Sequence, residues 1–145
     1  MTGLTDRVLS YLADKQEYAA MKIENKAISA STNTQVTGLT VGTGGAGNIF
    51  QAGTDKITVK KAGTYLVIVN FKLSAAATGN TALKAYMMYS NGVEKQSAAG
   101  YVGTWSDVTH IGIVTLPANA VLTTWVRLTQ GGGTIREGNI LVFPF

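Results

Sequence analysis

The sequence predicts an all-β domain, a sandwich or barrel, behind a short N-terminal helix and a flexible neck. Three observations predict it. From residue 49 onward, short alternating segments lie between turn residues spaced about 8 to 15 apart. The closing stretch Ile140-Leu-Val-Phe-Pro-Phe145 is apolar on both faces, as in a strand buried between two layers or two subunits. Glycine is abundant, with 17 residues, and proline scarce, with 2.

The first segment, residues 5–30, reads as a helix. Thr5 can cap it, Asp6 lies in the first turn, and no glycine or proline interrupts before Gly38. Leu9, Leu12, Gln16, Ala19 and Ile23 fall on one heptad seam. The seam is narrow, polar at Gln16 and lost at Lys26. An isolated helix of this kind is marginal in water, so it should pack or dock on something. Residues 29–48 are rich in Ser, Thr, Asn and Gly and read as a linker. The expected division is a helix and attachment segment at 1–34, a Gly/Thr-rich neck at 35–48 and a β head at 49–145. The head should then fold without the first 34 residues.

The neck contains Gly42-Thr-Gly44-Gly45-Ala-Gly47, which fits G-x-G-x-x-G. A dinucleotide loop needs a helix at its third glycine and an acid about 20 residues on. Here Asn48 onward turns strand-like, and the region about 20 residues on is Tyr65-Leu-Val-Ile-Val, without an acid. A flexible joint is the better reading.

The head supplies the strands. Residues 56–60 come first, and Gly63 turns into residues 65–74, where Tyr65, Val67, Val69, Phe71 and Leu73 share one face. Residues 81–90 end at Asn91-Gly92, a strong hairpin signal. Residues 93–101 form a weak strand. Residues 105–116 and 120–129 are long strands joined at Pro117-Ala-Asn119, and 134–145 close the chain after Gly131-Gly-Gly133. That makes seven or eight strands.

Apolar residues also occupy second faces: Leu66 and Ile68, Val121 and Trp125, Tyr86 and Met88. One sandwich has one interior, and a second apolar surface is an aggregation liability on a monomer. The sequence therefore predicts a homo-oligomer, with Tyr86, Met88, Trp125, Phe143 and Phe145 as interface candidates.

The 145 residues are 46% hydrophobic and only 14% charged, as expected of a surface largely covered by partners. There is no cysteine, hence no disulfide framework and no thiolate metal site. The longest strongly apolar run, residues 65–69, is too short to span a bilayer. No basic region followed by an apolar stretch marks a secretion signal. Net charge is +4, carried by residues 35–145, while residues 1–34 balance. Lys60-Lys61 is the only adjacent basic pair, in a turn, so no nucleic-acid surface is indicated.

A family resemblance adds to this. Ile57-Thr-Val-Lys-Lys-Ala-Gly63-Thr-Tyr65-Leu-Val-Ile-Val-Asn-Phe71 resembles the strand, Gly-x-Tyr, long apolar strand signature of the tumour-necrosis-factor and complement-globular-head jelly rolls. Ile113-Val-Thr-Leu116-Pro-Ala-Asn-Ala-Val121 is similar to that family's late strand, tight turn, strand. Gly138-Asn-Ile-Leu-Val-Phe-Pro-Phe145 is similar to its terminal buried strand. The family usually carries Gly-Asp where this chain has Ala118-Asn119, and its domain is usually longer. The resemblance, over residues 49–145, implies a jelly-roll β-sandwich forming a compact homotrimer with apolar residues about the three-fold axis. Phage head-decoration, head-fibre and fibre-tip proteins use this fold too.

Catalysis is not indicated. His110, the single histidine, alternates with Val108 and Gly112 on a strand. The head's acids, Asp55, Glu94, Asp107 and Glu137, are scattered, and no nucleophile elbow or metal spacing occurs. No cofactor is expected. Two binding roles remain. In one, the chain is a virion decoration or head-fibre protein, assembled in the host cytoplasm and attached to a viral capsid or other large particle through Leu9, Leu12, Tyr18 and Ile23. In the other, it is an adhesive tip whose loops take a host surface glycan or receptor, with Trp105 as the aromatic candidate. The loops are small and bland, which favours decoration.

Overall fold

The computed structural model describes residues 7–9, 16–28, 34–75, 81–88, 94–102, 106–128 and 133–145; side chains at 74–75, 81–88, 94–102, 106–108 and 127–128 are not described. Among the described residues eleven strands form two antiparallel sheets: β1 Tyr18–Ile28, β2 Thr34–Gln35, β3 Thr40–Gly44, β4 Phe50–Gly53, β5 Lys56–Val59, β6 Gly63–Ala75, β7 Thr81–Met88, β8 Glu94–Val102, β9 Ser106–Leu116, β10 Ala120–Leu128 and β11 Gly133–Pro144. The five-stranded sheet runs β3-β1-β11-β6-β9. The six-stranded sheet runs β4-β5-β10-β7-β8, with β2 also on β10.

The strands expected from residue 56 onward are present, at nearly the expected bounds. The alternation expected of 65–73 is also realised: Tyr65, Val67, Val69, Phe71 and Leu73 are all buried. They meet Ile57, Val59, Leu122 and Val126 of the other sheet in one apolar core. Phe50 and Tyr65 join the two sheets edge to face, with ring centroids 5.7 Å apart. The tight turn at Pro117–Asn119 is built as expected, with Asn119 at φ 67°.

The N-terminal third corrects the sequence reading. Only residues 7–9 are helical among the described residues before β1. Residues expected to continue the helix form β1, which lies between β3 and β11. Ala19, Met21 and Ile23 point into the core while Tyr18, Lys22 and Glu24 point out. The helix pattern and the strand pattern both fit this stretch; tertiary burial of the two-residue alternation prevails over the helix propensity of Ala, Met, Lys and Glu. The boundary at residue 34 therefore fails, because β1 belongs to the sandwich. The neck at 35–48 fails as well: residues 40–44 are strand, and Val36 is core. Among the described residues no helix is long and apolar enough to cross a membrane.

Close packing at β11 yields a first prediction. A Cβ at Gly138 would lie 2.7 Å from Phe71 Cε1 and 2.9 Å from Ile23 Cγ2. Phe71 is fully buried and Ile23 nearly so, and neither ring nor methyl has space to retreat. Gly138→Ala should cost about 1–3 kcal/mol by overpacking. A urea midpoint equal to that of the parent would show that the β1–β11–β6 layer is looser than this.

Candidate functional site

The outward face of the five-stranded sheet is the candidate site. Strand registry places its side chains in rows. Phe143 pairs with Leu66, and Leu66 with Ile113. Tyr18 extends this row, its ring centroid 6.4 Å from that of Phe143. The next row is Ala20, Leu141, Ile68 and Ile111. Both rows are apolar across four strands. Further along come Lys22, Asn139, Asn70 and Thr109, then Glu24, Glu137 and Lys72. The face thus grades from apolar to polar along the strands.

Much of the polar half is paired within the sheet. Asn70 Nδ2 donates to Thr109 Oγ1 at 2.7 Å, and Asn139 Nδ2 to Glu137 Oε1 at 3.2 Å. Lys72 Nζ stands 3.7 Å from Glu137 Oε2. These exposed contacts shape the surface and add little stability. The apolar half has no such account within one chain. Ile111 is 63% exposed, Ile113 59% and Tyr18 43%. Phe145, exposed beyond β11, is held beside this end by its amide, which donates to Thr64 O at 2.9 Å. A contiguous patch of aliphatic and aromatic side chains is what an interaction surface presents.

The predicted interface residues do not converge. Phe143 lies within the apolar half and Phe145 beside it. Trp125 lies on the other sheet, half-buried, its indole N–H donating to Thr123 Oγ1 at 3.0 Å. Tyr86 pairs with Trp125 on the neighbouring strand, and Met88 comes two residues later on that strand, but the side chains of both lie outside those described. Leu141, Ile111 and Ile113 were not singled out from the sequence, although their alternation marks them; Leu66 and Ile68 were noted there as a second apolar face.

The attachment residues also separate. Leu9 is exposed, and Leu12 lies outside the described residues. Ile23 is core, so it cannot serve as an anchor to another particle. Tyr18 belongs to the apolar face, against Phe143, and not to a free arm.

The glycines of the G-x-G-x-x-G stretch serve packing. The Tyr18 ring lies directly over Gly44, where a Cβ would collide with it. Gly45 and Gly47 have φ of 90° and 80°, which favour glycine. The next element along the chain is strand β4, so no helix N-terminus stands behind the loop. Among the described residues no group of three His, Cys, Asp or Glu comes together to hold a metal.

Comparison with solved structures decides the fold. The chain is similar to Eiger TNF from S. frugiperda, at 13% identity and TM-score 0.59, over 90% of this chain and 94% of that one. It is similar to murine APRIL, at 14% identity and TM-score 0.58, over 88% and 99%. It is also similar to the globular domain of zebrafish complement 1qA protein, at 17% identity and TM-score 0.57, over 90% and 98%. The fold is a TNF/C1q-like jelly roll. No family model matches the chain, and no curated protein sequence matches it. The coverage extends the jelly roll beyond residues 49–145, as expected once β1 and β3 are counted as strands of its five-stranded sheet.

Proposed function

We propose that this chain is a non-enzymatic structural protein that works as a homotrimer, closed through the apolar face of the five-stranded sheet. We further propose that the trimer decorates a phage capsid or forms its head fibre. The observation that carries the reading is the continuous apolar half-face from Tyr18 to Ile113. Its two margins differ: aliphatic Ile111 and Ile113 on edge strand β9, aromatic Tyr18 on β1. A patch with unlike margins favours heterologous contact, β9 of one copy against the β1 side of the next, and such contacts close by rotation into a ring. The family resemblance implies three copies.

Strand direction supports an attachment role for the residues before β1. β1 and β6 begin, and β9 and β11 end, at the apolar end of the sheet. Three N-terminal arms would therefore leave the trimer from one end. β6 ends, and β9 and β11 begin, at the other. Val8 and Leu9 are exposed on the arm, and each apolar anchor contributes about 1.5–3 kcal/mol when fully buried. Three linked arms multiply that through effective concentration. The particle itself is assigned by analogy of layout, an arm at one end of a small oligomeric head.

The test mixes particles lacking this protein with the full-length form and with a form starting at Gln16. The full-length trimer should coat the particles and the shortened trimer should not. Equal coating would move the attachment surface onto the jelly roll. Binding of the shortened trimer to a host glycan would favour the adhesive-tip alternative.

A further inference from the structure

Two features unused by the assembly reading meet in one place: the glycine-rich segment and a buried carboxylate. Glu17 directly precedes β1 and is 1% exposed. Its Oε1 accepts from the backbone N–H of Asn48 and, at 3.2 Å, from that of Ile49. Its Oε2 is buried with no hydrogen-bond partner among the described residues. Gly45 lies so close that a Cβ there would come within 2.7 Å of Glu17 Cγ. From the other side Lys60 Nζ donates to Gly47 O at 2.6 Å, and Lys60 N donates to Ile49 O at 2.6 Å. β3, which leads into this segment, is an edge strand that pairs with β1 and with no other strand among the described residues.

We propose that β3 and the glycine segment form a strap over the outer edge of β1, and that Glu17 is its latch. Beyond its ladder to β1 and the Lys60 bonds, the strap is held by Leu39 and Val41, which are only partly buried against the core, and by the Leu39 N–H bond to Asp55 Oδ1 at 2.8 Å. None of β3's residues is fully buried. A buried carboxylate satisfied at one oxygen only is an expensive way to close a loop, so the closed state is held with little reserve. Glycines at 42, 44, 45 and 47 give the backbone other conformations at little steric cost. Short edge segments of this kind open locally, below the free energy of global unfolding. Opening bares the edge of β1 from Tyr18 to Lys22 and lifts Gly44 from the Tyr18 ring. Glu17 also ends the arm, so a pull on the arm draws on the two bonds that close the loop. That coupling rests on the docking role proposed above; the strap does not.

Native-state hydrogen exchange on the full-length protein tests this without particles. In Glu17→Ala the hydrogen-bonded amides among residues 41–49 should exchange together at least about tenfold faster, while those of β6 and β11 stay unchanged. Glu17→Gln should stay near the parent, because its amide oxygen still accepts both N–H bonds. Gly47→Ala meets no atom within 4 Å and strains only the backbone at φ 80°, and it should accelerate the same set. No acceleration in Glu17→Ala, acceleration spread equally over β6 and β11, or Glu17→Gln behaving as Glu17→Ala would each overturn the latch. Should Glu17→Ala not fold, Gly47→Ala decides alone: a response confined to residues 41–49 supports the strap, and a uniform or absent one removes it.

Discussion

Deleting residues 1–34 should unfold this chain, whereas deleting residues 1–15 should leave its cooperative melt intact. The longer deletion removes β1, whose registry with β11 runs from Ala19–Val142 to Ile28–Gly133. Buried Met21, Ile23 and Ile28 go with it. Each such side chain contributes about 1.5–3 kcal/mol, so three of them consume much of the about 5–15 kcal/mol that holds a domain together. The loss also strips one edge of β11, leaves its N–H and C=O groups unpaired, and detaches β3 from its only partner in the sheet. The shorter deletion ends before Glu17, the first buried residue described there. Circular-dichroism melts of both forms decide. A form starting at Gln35 that melts cooperatively near the parent temperature would show that β1 is dispensable.

The second large effect separates two adjacent residues of β11. Leu141 points outward, in the row of Ala20, Ile68 and Ile111; Ile140 points inward and is fully buried. Leu141→Asp should fold, because position 141 is only partly buried on the outward face and in a monomer its carboxylate can reach water. It should not assemble, because closing the face would bury three unpaired carboxylates, each costing several kcal/mol. Ile140→Asp should not fold at all, since the same charge enters the core. Phe143→Asp should resemble Leu141→Asp. Light scattering reads the assembly and circular dichroism the fold. Leu141→Asp that assembles like the parent would place the contact elsewhere.

The head was legible because its strands carry a two-residue alternation that competing patterns do not imitate. Tyr65 to Leu73 shows it most plainly, and turn chemistry at Pro117–Asn119 marked the tight turn by which β9 of one sheet passes into β10 of the other. The N-terminal strands were obscured for identifiable reasons. Ala19, Met21 and Ile23 alternate, but Ala19 and Ile23 also sit four apart, on the helical seam of Leu9 and Leu12. Only β11, distant in sequence, decides between the two. β3 is short and glycine-rich, so its pairing was invisible without β1 beside it. The assembly face was half legible. Second-face apolar residues showed that a surplus surface existed. Which of them share a sheet depends on strand order, and strand order separates Trp125 from Phe143.

The central claim is assembly through the five-stranded sheet, and sedimentation equilibrium of the full-length protein at micromolar concentration tests it most directly. One species at three times the mass of the 15.2 kDa chain, unchanged on tenfold dilution, is expected. A single species at 15.2 kDa would contradict it, and so would one at twice that mass, which marks an isologous pair.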